Sequence, residues 1–312
     1  IGKMTLPGLQ RRGYPDAIAI GALAGAGTLG LLIPPSIIMI VYGVAAEVSI
    51  AQLFMAGILP GLLLAGLFSG YLVVWALRHP RLVPPADTQL RLAQKLHESR
   101  HLIPIVLLIV AVLGSIYTGV ATATEAAAVG VVGALALSAA QGSLSWQTFK
   151  DSLLGGTRLY CMIALILAGA AFLTLSMGYI GLPRHLAEWI GSLGLSQWQL
   201  LLALAAFFVV LGCFLDGISM VVLTIGVVMP TVVKAGIDPL WFGIFVVLVV
   251  EMAQITPPVG FNLFVLQGMT RREIGWIARV TLPFFLLMVG AVVLIYVFPQ
   301  IVTWLPDLFY GN

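Results

Sequence analysis

The sequence predicts an all-α polytopic membrane protein, and three observations support this fold class. Hydrophobic residues occupy 61% of the 312 positions and charged residues only 9%, and the mean hydropathy of +1.10 lies far above that of soluble domains. The apolar residues form runs of about 20, which is the length a helix needs to cross the hydrocarbon core. These runs do not alternate apolar and polar residues, as the strands of a membrane β-barrel do.

Hydrophobic segments follow one another between short polar connections. We expect them at 17–45, 51–77, 102–120, 122–140, 153–180, 199–233, 240–266 and 276–299. The first 16 residues, IGKMTLPGLQRRGYPD, are predicted to form a loop. The one long polar connection, 78–101, carries five Lys and Arg residues against two Asp and Glu residues, so we expect it to be a cytoplasmic basic linker.

The basic residues of the connections define an orientation if segment 199–233 enters and leaves the membrane on the same side. Under that condition, only Arg184 and Lys234 of these residues face outward. If 199–233 crossed fully, the basic residues near position 272 would move outside. We therefore predict a re-entrant hairpin over 199–233 with its tip near GCFLDGISM, buried in protein or lining a wet cavity.

An internal repeat appears when the chain is aligned with itself at a constant offset of 223 residues. The aligned positions share proline or glycine: Pro7 with Pro230, Gly13 with Gly236, Pro34-Pro35 with Pro257-Pro258, and Pro60 with Pro283. In the predicted topology the first double proline runs outward and the second runs inward, so the copies are inverted. Inverted repeats are typical of secondary transporters.

The repeat also predicts how the chain is organised. Residues 1–77 would hold the tail of a first hairpin, the first broken helix and the following span, which end repeat 1. Repeat 2 would be 102–312, with scaffold and arm helices over 102–180, the hairpin 199–233, a broken helix over 240–266 and a last span at 276–299. A complete first copy would need about 120 residues before Ile1, so we expect a truncated sequence or one piece of a split transporter.

Each double proline is predicted to break a membrane helix, at Ile33 to Ser36 (IPPS) and at Ile255 to Gly260 (ITPPVG). Proline removes a backbone donor and clashes with the preceding turn, so carbonyl groups become free. Such carbonyls can coordinate Na⁺, while the N-terminus of the second half-helix attracts an anion. The alternative is a packing kink, but doubling at repeat-related positions favours paired ion and substrate elements.

Three acidic residues lie within apolar segments, where burying a charge is costly and function is the first hypothesis. Asp216, at the predicted hairpin tip, is the strongest candidate, and it could also cap the returning helix. Glu125 is better explained as a first-turn acid at a helix start. Glu251 could be a cavity residue or the partner of an internal salt bridge, and Thr256 and Asn262 add polar groups near the same break.

Other motifs are missing from the sequence. Cys161 and Cys213 have no CxxC spacing, so they suggest neither a disulfide nor a metal site, and both are expected to be buried apolar side chains. Neither GxxxxGK[ST] nor HExxH occurs. The chain is therefore not expected to use ATP, to be an enzyme or to bind nucleic acid.

Three stretches resemble one transporter family. They are AGAGTLGLLIPPSIIMIVYGVAAEVSIAQLFMAGILPGLLLAG, ATATEAAAVG, and GCFLDGISMVVLTIGVVMPTVVKAGIDPLWFGIFVVLVVEMAQITPPVGFNLFV. They are similar to the large membrane subunit (DctM-like) of tripartite ATP-independent periplasmic (TRAP) transporters. The resemblance implies an elevator-type, Na⁺-coupled importer of carboxylates such as C4-dicarboxylates and sialic or sugar acids, in the bacterial inner membrane. It also implies a four-helix small membrane subunit and a periplasmic binding protein as partners.

The resemblance also implies site residues. The Na⁺ candidates are Gly30, Ile33, Pro34 and Ser36 at the first break, and Asp216, Gly217, Ala253, Thr256 and Val259 at the hairpin tip and second break. The substrate candidates are Ser36, Asp216, Thr256 and Asn262. Members of the family usually carry a serine-rich first hairpin tip, which this chain lacks, so we expect the first ion site to be incomplete. Ala253 stands where glycine is common, a change that a backbone carbonyl ligand tolerates.

Three other functions remain as alternatives. A Na⁺/anion symporter of the same inverted-repeat design would act without a binding protein, so partner dependence distinguishes it. An intramembrane protease based on Asp216 would need a second acid at a suitable spacing, which is not apparent. A non-transporting assembly subunit would bind no Na⁺.

Overall fold

The structure is a computed structural model that describes residues 2–85, 99, 102–257 and 260–311. Within these ranges the regular structure is helical and no strand occurs. The prediction of an all-α fold is therefore confirmed. The chain divides into two compact units, one formed by residues 1–84 and 166–312 and the other by residues 85–165.

The helices follow most of the predicted hydrophobic segments. They are α1 (Gly2–Arg11), α2 (Asp16–Leu32), α3 (Ile37–Ala45), α4 (Ile50–Arg78), α5 (Ile103–Tyr117), α6 (Ala123–Ala140), α7 (Trp146–Ile180), α8 (Leu182–Ser192), α9 (Gln197–Gly212), α10 (Gly217–Lys234), α11 (Pro239–Gln254), α12 (Phe261–Thr270), α13 (Ile274–Val297) and α14 (Gln300–Tyr310). By length and composition α4, α6, α7, α10 and α13 can each cross a membrane, and α2 and α3 together form a further span bent by 42°.

Some elements differ from the predictions. The first 16 residues are not a loop, because α1 occupies Gly2–Arg11 and accommodates Pro7. Helix α7 starts at Trp146 rather than near 153, since the polar residues before the apolar run continue the same helix. Helices α8 and α14 were not predicted, because 11 residues with polar positions among the apolar ones do not give a membrane-length signal. The predicted linker at 78–101 lies mostly outside the described residues.

The repeat offset reappears in the helix boundaries. Helices α2 and α11 start at Asp16 and Pro239, and α1 and α10 end at Arg11 and Lys234. Each of these pairs is separated by 223 positions. Helices α12 and α13 start within one residue of the positions that the offset gives from α3 and α4. The aligned prolines thus mark the same local structures in both copies.

The two broken helices, α2–α3 and α11–α12, lie antiparallel. The hydroxyl of Tyr42, near the end of α3, donates to the carbonyl oxygen of Pro239 at the start of α11, at 2.6 Å. At the opposite end, Arg272, just after α12, pairs with Asp16 at the start of α2, at 2.6 Å. Each broken helix therefore begins beside the end of the other, as an inverted repeat requires.

Helices α9 and α10 form a hairpin beside α11. The side-chain amide of Gln197, at the start of α9, donates to the carbonyl oxygen of Ala235, just after α10, at 3.0 Å. The two open ends of the hairpin therefore meet, and its tip at residues 213–216 lies at the far end of both arms. Helix α11 is the centre of this unit, since every residue from Trp241 to Gln254 is buried.

Helix α8 packs against the returning hairpin arm α10. The Arg184 guanidinium lies 2.9 Å from the Glu188 carboxylate on the exposed side of α8. Its hydrogen bond is the main reason why the pKa of Glu188 lies below the usual range, and the Lys234 charge lowers this pKa slightly further. Arg184 and Lys234, the two basic residues that the predicted topology places on the outer side, thus lie on the neighbouring helices α8 and α10.

In the unit formed by residues 85–165, α5 packs against α6. Gly130 and Gly133 of α6 allow the approach, since a β-carbon at Gly130 would lie 3.3 Å from Val112 and one at Gly133 would collide with Leu108. Most other apolar side chains of these helices are exposed, as expected of surfaces that face lipid or other protein. Cys161 on α7 is also exposed, so the expectation that it is buried was wrong.

Candidate functional site

The first break lies between α2 and α3 and is closely packed. The Ser36 hydroxyl accepts from the Met39 N–H at 3.4 Å and donates to the Leu31 carbonyl oxygen, so this fully buried side chain caps α3. A β-carbon at Gly57 of α4 would lie 2.9 Å from the Leu32 carbonyl oxygen. The first break is therefore held by a side-chain cap and by the close approach of α4.

The second break, between α11 and α12, has a different local structure. Gly260 has a φ of +36°, and a β-carbon there would lie 2.8 Å from the Thr256 carbonyl oxygen and 3.0 Å from that of Gln254. The Thr256 hydroxyl is turned back to the Met252 carbonyl oxygen, at 2.7 Å. Two backbone oxygens and a methyl group of Leu263, at 3.1 Å, thus surround the position of a β-carbon, which only glycine leaves open. We call the group formed by Gly260 and the carbonyls of Gln254 and Thr256 the carbonyl cradle.

The hairpin tip is organised by Asp216. Its carboxylate accepts from the N–H groups of Ile218 and Ser219 at 3.1 and 3.2 Å and from the Ser219 hydroxyl. Asp216 is therefore the N-cap of α10, which confirms the capping interpretation. The side chain stays exposed, and its carboxylate oxygens retain the capacity to accept further contacts.

Gly217 brings the hairpin tip against both broken helices. A β-carbon at Gly217 would lie 2.7 Å from Val250 and 2.9 Å from the Gln254 amide nitrogen of α11, and 2.8 Å from Ile38 of α3. The start of α10 thus meets the residue that ends α11 and the first turn of α3. The resemblance implied a Na⁺ site at the hairpin tip and the second break, whereas the contact of the tip with α3 was not predicted.

The loop of the hairpin also contacts the second break. The Cys213 thiol lies 3.2 Å from the carbonyl oxygen of Pro257, and a β-carbon at Gly212 would collide with the side chain of Ala253. Cys213 is buried, as predicted, but it also links the two elements through a polar contact. The Ala253 carbonyl accepts from the Thr256 N–H at 3.1 Å.

Asn262 lies in the first turn of α12 and faces α2. Its amide nitrogen is 3.7 Å from the position of a β-carbon on Gly27. This nitrogen is buried and has no hydrogen-bond partner among the described residues. Asn262 therefore has a free donor at the contact between the two broken helices.

The structure gathers some of the predicted site residues and separates others. Asp216, Gly217, Ala253 and Thr256 lie around the junction of the hairpin tip and the second break. Gly30 is exposed, with no heavy atom within 4 Å of a β-carbon placed on it. Pro34 is buried, whereas Ile33 is 41% exposed. Val259 lies outside the described residues, as does Pro258.

Glu125 is a capping residue, as the sequence indicated. Its carboxylate accepts from the backbone N–H of Thr122 at 2.8 Å, while the Glu125 N–H donates to the Thr122 hydroxyl at 3.3 Å. This reciprocal arrangement is a capping box at the start of α6. No further role is needed to explain this acid.

Sequence reasoning missed two parts of the junction. Gln254 was not singled out, although its carbonyl and its amide both reach the site. Gly260 was noticed only as the end of the break, because a positive φ cannot be read from glycine alone. The repeat could have drawn attention to Gly260. At the matching position the first break has Ile37, which follows the serine cap of α3, whereas the second break has glycine.

The donors at the junction are oxygen atoms of a carboxylate, backbone carbonyls and a hydroxyl. Such hard donors suit alkali and alkaline-earth cations rather than thiophilic metals. The described residues hold no group of three or more His, Cys, Asp or Glu side chains that could bind a metal ion. The N-termini of α3, α10 and α12 add partial positive charge that favours an anion nearby.

We expect Asp216→Ala to lower the stability of the hairpin by about 1 kcal/mol, because two backbone N–H groups at the start of α10 lose their acceptor. Asp216→Asn should keep most of that stability, since asparagine is an equally good N-cap. Thermal unfolding of the purified protein checks both variants. Equal destabilisation by Asn and Ala would mean that the carboxylate charge, rather than capping, holds the tip.

Comparisons with known proteins show the family to which the chain is similar. Residues 1–301 match the family described as "Tripartite ATP-independent periplasmic transporter, DctM component". The C4-dicarboxylate TRAP transporter large permease protein DctM of Pseudomonas aeruginosa is 34% identical over 308 residues, which cover 98% of this chain and 71% of the relative. The ectoine/5-hydroxyectoine TRAP transporter large permease protein UehC of Ruegeria pomeroyi is 34% identical over 317 residues (100% and 72%). The sialic acid TRAP transporter permease protein SiaT of Haemophilus influenzae is 29% identical over 311 residues (99% and 50%).

Proposed function

The chain belongs to the DctM family of TRAP transporters, and we propose that it uses Na⁺ to drive carboxylate uptake. It is a multi-pass protein of the bacterial inner membrane and a transporter permease rather than an enzyme. The sequence resemblance and the comparisons thus agree on the class of protein. The coupling ion, the substrate and the partner proteins are the parts of this function that we propose.

The carbonyl cradle is the observation that supports Na⁺ most strongly. Two backbone oxygens, from Gln254 and Thr256, converge on the space beside Gly260, and the exposed carboxylate of Asp216 belongs to the adjoining hairpin tip. A small hard cation would take its protein ligands from these oxygen atoms, and the Leu263 methyl group also borders the space, 3.1 Å from the position of the β-carbon. Bound Na⁺ would supply positive charge that links the second break to the tip.

The substrate is proposed to be a carboxylate. Among the relatives, one is named for C4-dicarboxylates and another for sialic acid. The start of α12 has no side-chain cap, and the partial positive charge of this helix end favours an anion. Asn262 adds a buried, unpartnered amide donor in the first turn of the same helix. The membrane potential and the Na⁺ gradient would drive import, with about 2.3 kcal/mol per charge per 100 mV from the potential.

The proposed partners are a small membrane subunit and a periplasmic binding protein that delivers the solute. They follow from membership of the tripartite family. The alternative is a Na⁺/anion symporter of similar design that needs no binding protein.

Uptake by proteoliposomes containing the full-length permease and its small subunit tests this proposal. Succinate and sialic acid would be offered with and without an inward Na⁺ gradient, and the binding protein would be added last. We expect uptake only when both Na⁺ and the binding protein are present. Na⁺-driven uptake without the binding protein would support the symporter, and uptake indifferent to Na⁺ would contradict the coupling.

A further inference from the structure

Glu251 is a fully buried acid with no visible partner. Its exposed fraction is 0%, and it is the only charged residue among the buried polar residues of the described chain. Both carboxylate oxygens are inaccessible, and neither has a hydrogen-bond partner within the described residues. It lies in α11, the most buried helix of its unit.

No basic side chain compensates this acid in the part of the chain that the structure describes. The two ion pairs found there, Arg184 with Glu188 and Arg272 with Asp16, lie on exposed ends of helices. An uncompensated buried carboxylate costs several kcal/mol. Such a carboxyl group is stable either in its neutral form or beside a positive partner, which the described residues do not provide.

Glu251 is close to the carbonyl cradle along the helix. Val250 and Gln254, one turn apart, both face Gly217 of the hairpin tip. Glu251 precedes Gln254 by three residues, so the two side chains share one side of α11. The cradle carbonyls belong to the third and fifth residues after Glu251, which places the charge on the order of 10 Å or less from the break.

We propose that Glu251 is the fixed counter-charge of the Na⁺ bound at the second break. It is a positioning residue that acts through the electric field of the buried helix, without belonging to the cradle. A cation near the break offsets the cost of the buried carboxylate, and the carboxylate in turn strengthens cation binding. This inference rests on the proposed Na⁺ coupling.

The size of the effect follows from Coulomb's law. At a separation on the order of 10 Å and an effective dielectric constant of about 20, one unit charge changes cation affinity roughly tenfold. Removal of the charge without a change of shape should weaken binding by that factor. It should leave the Na⁺-free protein about as stable as before, because glutamine has nearly the same shape as the neutral carboxyl group.

Glu251→Gln tests the proposal through Na⁺ binding to the purified transporter, with the permease at full length and its small subunit present. Affinity is measured from the rise in melting temperature with Na⁺, against choline at equal ionic strength. We expect roughly tenfold weaker binding and an undiminished melting temperature without Na⁺. The matched control is Glu125→Gln, the same substitution in an exposed capping acid, which should leave Na⁺ affinity unchanged.

The remaining outcomes separate the inference from the proposed function. Wild-type affinity in Glu251→Gln overturns the counter-charge role while the Na⁺ coupling stands. Glu251→Asp keeps the charge and should bind Na⁺ within about threefold of wild type, so equal losses in the Asp and Gln variants also overturn that role. A wild-type transporter that Na⁺ does not stabilise overturns the coupling and the inference together.

Discussion

Gly260→Ala is expected to reduce Na⁺-driven uptake at least tenfold and to remove most of the stabilisation by Na⁺. The new β-carbon would lie 2.8 Å from the Thr256 carbonyl oxygen and 3.0 Å from the Gln254 carbonyl oxygen. Both oxygens must move away from the space that they share. A φ of +36° is also strained for alanine, at a cost of about 1–3 kcal/mol. Uptake and the melting temperature with and without Na⁺ measure the two effects.

Gly268→Ala is the matched control for this substitution. Gly268 lies in α12, and no heavy atom lies within 4 Å of a β-carbon placed on it. Alanine is the better helix former, so this variant should be as stable as wild type or slightly more stable. If Gly260→Ala binds Na⁺ like the control, the carbonyl cradle is not the cation site.

The repeat could be predicted because proline and glycine act locally. The prolines at position 7 and at its repeat partner 230 each lie within a helix, α1 and α10, and those helices end 223 positions apart. The double prolines lie in the interruptions of α2–α3 and α11–α12. Proline restricts the backbone whatever surrounds it, so prolines at the same spacing in two copies of a repeat produce similar local structures.

The short helices could not be predicted from the same signal. Helices α8 and α14 have 11 residues each, too few to span a bilayer, and each mixes charged or polar residues with apolar ones. Hydropathy over a membrane-length window averages these residues with the neighbouring loops. Their amphipathic character matters only once a packing surface exists.

The candidate site was predictable to the level of its elements but not of its contacts. Asp216 and Thr256 were identified because polar residues at membrane depth are unusual. The sequence could not show whether Ser36 caps a helix or binds a ligand, since a hydroxyl can do either. It also could not show that Gly57 of α4 packs closely against the first break. The two breaks differ because neighbouring helices pack against them differently. A repeat alignment treats the two breaks as equivalent and cannot show this difference.

Gly217→Ala is expected to displace the hairpin tip and to lower uptake at least tenfold. Its β-carbon would lie within 3 Å of Val250, Gln254 and Ile38, three side chains from two different helices. The new carbon displaces these side chains at the point where the hairpin tip meets both broken helices, which changes the packing of the tip. Overpacking of this kind costs about 1–3 kcal/mol. The melting temperature, the Na⁺ affinity and the uptake rate should all fall together.

The control for Gly217→Ala is Gly66→Ala in α4, an exposed helical glycine with no heavy atom within 4 Å of the added carbon. It should keep full uptake and gain slightly in stability. Because Gly217 lies against both broken helices, its substitution separates two models of the hairpin. If uptake and Na⁺ affinity survive in Gly217→Ala while stability falls, the tip only packs against the breaks. If all three fall together, the position of the tip is part of the ion site.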